Sequence, residues 1–341
     1  MRLSLSDFKK ITLGAQHISE SCGKITFHRF TEKEELFYKE RDKIRGSSFY
    51  DRCLATAGIR LSFKTDSKSL KLSVDVAKTT SRNYFSFDVY ENGKLIGVLD
   101  NFKEEELCGN FTEILLPLGS FEKSFSLSEK LSEVCIYFPW SVRIETLSVE
   151  LDDGALIEPI KPSKKLLAYG DSITQGYDAI RPSQRYVSRL ANFLGAEEIN
   201  KAIGGEVFVP GLAKIKADFS PDYITVAYGT NDWSTTDGLD FFENALSFFK
   251  TLSEYYKSSK IFAITPIWRA NFEEKKPFGE FFTVEEKIKE ATRNLKNVTV
   301  ISGFELVGHD EKLFADLRLH PRDEGFNEYY ENLSRKIGEF I

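Results

Sequence analysis

Leu166-Leu167-Ala168-Tyr169-Gly170-Asp171-Ser172-Ile173-Thr174-Gln175-Gly176 is the stretch that decides how this chain is read. A short apolar run ends on Gly-Asp-Ser, and a polar turn follows. The order strand, tight turn, helix start sets Ser172 at the carboxyl edge of a sheet, where open α/β sheets bind their ligands. A serine hydroxyl is a poor nucleophile until a base takes its proton and donors receive the new oxyanion. The rest of the chain is read for those two components.

Downstream of this stretch, strand-like runs at 166–169, 223–228, 261–264 and 298–301 alternate with helix-period ones. Val187, Leu190, Ala191 and Leu194 recur at i, i+3, i+4 and i+7 and are closed by Gly195. Phe241, Phe242, Ala245, Leu246, Phe249 and Leu252 make a second stripe, and Tyr330, Leu333 and Ile337 a third. Such alternation predicts a parallel sheet covered by helices, over residues 164–341.

Upstream the period is 2. Leu70, Leu72, Val74 and Val76 are separated by Lys71, Ser73 and Asp75, and Phe85, Phe87 and Val89 by Ser86 and Asp88. Asn92-Gly93 between two such runs is a hairpin signal. Further strands are expected at 113–116, 134–138 and 142–151. The reading is an antiparallel β-sandwich, jelly-roll-like, over residues 1–155. Residues 1–50 show no clear period, and 31–43 is too charged to assign. The proline-bearing segment 154–165 reads as a linker.

At 341 residues the chain exceeds the roughly 250–300 at which a single core stops growing, so two domains are expected. A net charge of −6 argues against nucleic acid or an anionic membrane as partner. No window approaches the ~20 apolar residues of a membrane span. Asp7, Lys9 and Lys10 interrupt the amino terminus where a signal peptide would be apolar, so a cytoplasmic protein is expected. Cys22, Cys53, Cys108 and Cys135 are widely spaced and read as reduced thiols rather than a disulfide frame. With four histidines, no His-x-x-x-His and no Cys-x-x-Cys, spacing shows no metal-ligand set. Gly-x-Gly-x-x-Gly is absent, and no cofactor is expected.

Three clusters fall at strand ends or in loops of the second half: Asn200-Lys201-Ala202-Ile203-Gly204-Gly205, Gly229-Thr230-Asn231-Asp232, and Asp316-Leu317-Arg318-Leu319-His320-Pro321. Each has an ordinary reading as a turn, a polar loop or a helix boundary, and Asp171 and Ser172 both cap helices well. Together they supply what Ser172 lacks. The second half holds two histidines, His309 and His320, as possible bases. A glycine lets its N–H approach a ligand closely, and an asparagine side chain adds an N–H₂ donor.

The four ordered blocks resemble the SGNH hydrolase superfamily of GDSL-type esterases and lipases, over residues 164–341. The resemblance implies a flavodoxin-like α/β/α sandwich. It also implies Ser172 as nucleophile, His320 as base, and an oxyanion hole from the Ser172 and Gly205 N–H groups and the Asn231 side chain. One departure stands out: three residues separate Asp316 from His320 where the family pattern has two. Asp316 through a local bulge, a backbone carbonyl in a Ser–His dyad, and Asp323 or Glu324 all remain open as the group that orients the imidazole. The β-sandwich ahead of this domain, with Phe138-Pro139-Trp140 and Thr265-Pro266-Ile267-Trp268-Arg269, resembles two-domain carbohydrate esterases of the acetylxylan-esterase type.

The activity implied is hydrolysis of a small acyl ester, acetyl above all, on a carbohydrate. Asp171, Tyr177, Trp233 and Trp268 are the expected substrate contacts, the aromatics as exposed platforms for a sugar ring; core or interdomain packing is their ordinary alternative, above all for Trp268. Arg269 and Asp178 are expected as surface charges that either bind hydroxyls or none. A lysophospholipase or thioesterase acting on longer chains is the alternative within the class, and a non-catalytic carbohydrate-binding protein is the alternative outside it. The oligomeric state is not legible.

Overall fold

Period-2 alternation becomes one buried and one wetted face when a strand joins a half-covered sheet. Leu70, Leu72, Val74 and Val76 are at most 3% exposed, while Lys71, Ser73 and Asp75 between them are only partly buried. The computed structural model describes residues 1–21, 23–128 and 130–341, so Cys22 lies outside the described residues. The chain divides into two units. The first comprises Met1–Ser163 with Ile180–Ser183 and Glu197–Ile199; the second comprises Lys164–Ala179, Gln184–Ala196 and Asn200–Ile341.

The first unit begins with helix α1 (Leu5–Ile11), strand β1 (Thr12–Leu13) and the hairpin β2 (His17–Ser21) and β3 (Lys24–His28). Helices α2 (Glu32–Arg45) and α3 (Phe49–Cys53) follow. The strands are then β4 (Arg60–Thr65), β5 (Ser69–Lys78), β6 (Ser86–Glu91), β7 (Lys94–Asp100), β8 (Gly119–Ser126), β9 (Ser132–Tyr137), β10 (Val142–Leu151) and β11 (Glu158–Pro159). They form one sheet of order β1-β4-β9-β6-β7, with β11 also on β4, and a second of order β10-β5-β8. The strands pair antiparallel, and one core of aliphatic and phenylalanine side chains from both sheets includes Leu61, Phe87, Ile136 and Val149. Asn92 and Gly93 have φ of 50° and 77°, the left-handed pair a two-residue hairpin needs, and Glu91 faces Lys94 across it.

Two expectations change here, and a segment without assignment gains one. Residues 113–116 form no strand, and Leu115 is 81% exposed. The charged segment 31–43 is helical. Thr31 and Glu34 close a capping box, and the buried side of α2 is polar and aromatic (Glu34, Glu35, Tyr38, Arg41) rather than aliphatic. Residues 154–165 are not only a linker, since Glu158 and Pro159 pair with Lys64 and Phe63. Of the other cysteines, Cys53 is buried, Cys108 exposed and Cys135 intermediate.

The second unit holds β12 (Lys164–Gly170), β14 (Tyr223–Ala227), β15 (Lys260–Ile264) and β16 (Val298–Ile301), which with β13 (Ala196–Asn200) form a five-stranded sheet in the order β13-β12-β14-β15-β16. Counted within this sheet the order is 2-1-3-4-5, the flavodoxin-like order. Its helices are α4 (Ser172–Gln175), α5 (Tyr186–Phe193), α6 (Pro210–Ala213), α7 (Thr230–Thr235), α8 (Gly238–Tyr255), α9 (Thr283–Thr292) and α10 (Asp323–Gly338). Helices α5 and α10 pack together through the stacked rings of Tyr186 and Tyr329, 4.1 Å apart. Helix α8 sets Phe248 edge-on to Tyr169 of β12. The buried stripe of α10 is Phe326, Tyr329, Leu333 and Ile337, with Tyr330 only partly covered. This is an α/β/α sandwich. No described helix is long and apolar enough to cross a membrane.

Candidate active site

Strand order fixes where the site falls. The first and third strands of the sheet, β12 and β14, are parallel neighbours with Gly170 opposite Ala227. Their following loops leave the same carboxyl edge, at the point where strand order reverses. One loop carries Ser172, the other Asn231.

Asp171 is the N-cap of α4, its carboxylate accepting from Ile173 N–H at 2.9 Å, and Ser172 is the first helical residue. The N–H groups of a helix's first turn lack intrahelical partners, so the Ser172 N–H is a donor in want of an acceptor. Gly170 permits the tight turn: a Cβ there would lie 2.2 Å from Thr174 Oγ1 and 3.0 Å from the Ala227 carbonyl.

The segment after β13 is laced to this turn. Lys201 N–H donates to Ala168 O at 2.7 Å, Ile203 N–H to Gly170 O at 3.0 Å and Gly204 N–H to Gln175 Oε1 at 2.8 Å. Asn200 Nδ2 donates to Thr174 O at 2.9 Å. Gly205 stands next to these bonds, exposed, with φ of 84°. Asn231 Nδ2 donates to Glu206 O at 3.0 Å, which places the amide beside Gly205 and leaves its second N–H to give. Gly229 makes the start of α7 possible: its φ is 123°, and a Cβ would strike Val284 Cγ1 at 2.7 Å.

His320 joins these elements. Its Nε2 is 2.9 Å from Ser172 Oγ, and its Nδ1 is 2.8 Å from Asp316 Oδ2. The extra residue between acid and histidine is absorbed by Leu317, in the left-handed region at φ 55°. That kink lets Asp316 Oδ1 accept from the N–H groups of Arg318, Leu319 and His320 while Oδ2 faces the ring. Burial raises the Asp316 pKa, but the His320 hydrogen bond and charge, with the Leu319 and His320 N–H groups, outweigh it. The carboxyl is held well below the usual carboxylate range. Asp323 and Glu324 instead open helix α10.

A second carboxylate, not expected from the sequence to join this group, faces the same ring nitrogen. Asp178 is fully buried, has φ of 71°, and puts Oδ2 3.6 Å from the same His320 Nδ1. It is not a surface charge. The Tyr177 ring lies 5.6 Å from the imidazole at 30°, so the tyrosine walls the histidine. Asp178 follows a polar Thr-Gln-Gly-Tyr turn, and nothing in its local pattern marks it as buried.

The other expected substrate contacts do not stand where exposed contacts would. Asp171 is 2% exposed and occupied as a cap, and burial lifts its carboxyl to about 6. Trp233 is fully buried, donating Nε1–H to Gly279 O at 3.0 Å and packing edge-on against Phe281. Trp268 stacks on His309 at 5.6 Å and 13° and leans on Phe314. The aromatics are packing groups because their rings find partners inside the second unit.

Arg269 is also internal. Its guanidinium donates to Thr230 O and Oγ1 at 3.1 Å and lies 5.0 Å from the Trp233 ring centre, fastening the helix that presents Asn231. Burial, with Arg318 nearby, lowers its pKa to about 10. Beneath Asn231, Asp232 is fully buried with Oδ1 accepting from Phe208 N–H at 3.1 Å and Oδ2 unpaired. Burial raises its carboxyl to about 7.

Spacing motifs show no metal-ligand set, yet tertiary pairing gathers two groups of ligand-type side chains among the described residues: Asp178, Asp316 and His320, and His17, His28 and Glu35. The first belongs to the serine site.

Residues 168–327 match the model of the GDSL-like Lipase/Acylhydrolase family. No curated protein matches the chain. Among solved structures, a salicylyl-acyltransferase from a tetracycline biosynthetic pathway is 20% identical, with 99% of this chain and 97% of that one covered and a TM-score of 0.79. A GDSL-like lipase candidate from Bacteroides ovatus gives the same identity and coverage at a TM-score of 0.76. An acetyl xylan esterase from the rumen bacterium Butyrivibrio proteoclasticus is 15% identical over 100% of this chain and 99% of that one, with a TM-score of 0.61. At these identities the likeness is one of fold, and it extends over both units.

Proposed function

We propose that this chain, whose residues 168–327 form a GDSL-like lipase/acylhydrolase domain, is a serine esterase that removes small acyl groups, acetyl above all, from carbohydrate. The observation that carries the reading is a single imidazole within hydrogen-bond distance of a serine hydroxyl on one side and a carboxylate on the other.

In this reading His320 Nε2 takes the Ser172 proton as Oγ attacks the ester carbonyl carbon. Asp316 holds the ring by Nδ1–H and stabilises the imidazolium that results. The tetrahedral oxyanion is received by the Ser172 and Gly205 N–H groups and the remaining N–H of Asn231. His320 then passes its proton to the leaving sugar oxygen. A water activated by the same nitrogen cleaves the acyl-enzyme and frees the acid.

The choice of a small acyl group is supported by the side chains around Ser172. Asp171, Thr174, Gln175 and Asp178 are buried polar groups, whereas a long alkyl chain needs an apolar channel. The acetyl xylan esterase of the same fold is consistent with a sugar ester but does not carry the assignment. The test is acetate release from a panel of acetylated oligosaccharides, beside p-nitrophenyl acetate and octanoate. Faster cleavage of octanoate overturns the acetyl proposal. Turnover retained by Ser172→Ala overturns the nucleophile.

A further inference from the structure

We propose that His17, His28 and Glu35 bind a divalent transition metal of the zinc class, at a site made of none of the residues around Ser172. His17 and His28 are direct partners across the β2–β3 hairpin, so both imidazoles stand on one face of that ribbon. Their rings are parallel, 3.9 Å apart and 13° from coplanar. Helix α2 brings Glu35 to the same point, with Oε1 2.7 Å from His28 Nδ1. One ligand atom from each residue lies within 4.8 Å of the other two.

The neighbourhood is built rather than incidental. Glu35 is 8% exposed, and the capping box of Thr31 and Glu34 fixes the helix start three residues before it. Ser19 Oγ lies 3.1 Å from His28 Nε2, so both ring nitrogens of His28 already face polar groups. Tetrahedral zinc with bonds of about 2.0–2.2 Å needs ligand atoms roughly 3.3 Å apart. On binding, the 2.7 Å pair of His28 and Glu35 would open and His17 would draw in by side-chain rotation. Two imidazoles and one carboxylate suit zinc, nickel, copper or ferrous iron; magnesium and calcium prefer oxygen donors throughout. Three protein ligands leave a position for water. Binding would fasten the hairpin to α2.

The experiment is calorimetric titration of the chelator-treated full chain with zinc chloride. One saturating equivalent is expected, with affinity at least tenfold weaker in His17→Gln and in Glu35→Gln. His17→Gln is the decisive variant, since its circular dichroism and metal-free melting curve, expected unchanged, report that both units are folded. His320→Gln serves as control for the other cluster of ligand-type atoms and is expected to keep the full equivalent. No saturable binding below about 100 µM zinc, or parent-like binding by folded His17→Gln, overturns the site.

Discussion

Replacing Asp316 by Asn tests how the two carboxylates share His320. At an effective dielectric of about 20, a carboxylate 2.8 Å from Nδ1 attracts the imidazolium by roughly 6 kcal/mol, and one at 3.6 Å by roughly 5 kcal/mol. The two are close, so Asp178 retains most of the charge stabilisation when Asp316 is neutralised. What Asp316→Asn removes is the short bond to Nδ1–H, worth about 1.5–3 kcal/mol for a charged acceptor, or roughly 10–10² in rate. We therefore expect kcat/KM for p-nitrophenyl acetate to fall about 10²-fold, against the ~10⁴ typical when a triad loses its acid. Asp178→Asn alone should cost a few-fold. The double variant should fall about 10⁴-fold, well beyond the product of the singles. Losses that simply multiply would falsify the shared role of Asp178. A loss below tenfold in Asp316→Asn would point to a dyad needing no acid.

Three further outcomes follow from the same geometry. Burial raises the folded pKa of Asp232 to about 7 from the ordinary carboxylate value of 3.8, so the folded state holds its proton more tightly than the unfolded one. Its stabilising contribution is thus full below the unfolded value and is lost as pH rises through about 7. Urea melts of Asp232→Asn should show a stability profile flatter than wild type between pH 4 and 8 by a few kcal/mol, and equal slopes would count against it. Leu317 is 42% exposed at φ 55°, so Leu317→Gly should raise stability by about 1 kcal/mol with turnover little changed, whereas Leu317→Val should lower both stability and kcat; melting temperature and kcat/KM decide. Arg269→Ala should lower kcat about 10–10²-fold with little change in KM, because it frees the turn that presents the Asn231 donor; a rise in KM at constant kcat would make it a substrate contact instead.

The parallel sheet and its helices were legible because four of the five strands are short apolar runs closed by glycine or a polar turn, whereas Ala196–Asn200 carries two glutamates. Three of the four site blocks follow strands, and strand order brings Ser172 and Asn231 to one edge; the Asp316–His320 block instead lies in the loop ahead of α10. Helix α2 was illegible for a stated reason: its covered face is Glu34, Glu35, Tyr38 and Arg41, and apolar periodicity is blind to a polar buried stripe. Residues 113–116 are three aliphatic residues behind Glu113, an apolar run too short to have a period, and they join no strand, since pairing is a tertiary property. Asp178 and Arg269 read as surface charges because charge in a polar loop carries no mark of burial; neighbouring elements supply it. The same holds for Trp233 and Trp268, whose rings are spent on packing. The His17, His28 and Glu35 group escaped a search by spacing because hairpin register and a separate helix assemble it.

The most direct trial of the account is covalent labelling with an organophosphate ester that mimics the tetrahedral intermediate, read by peptide mass spectrometry. One phosphoryl group on Ser172 is expected, formed at least about 10³-fold more slowly in His320→Ala. Labelling at another residue, or at an undiminished rate without the imidazole, would contradict the claim that His320 activates Ser172.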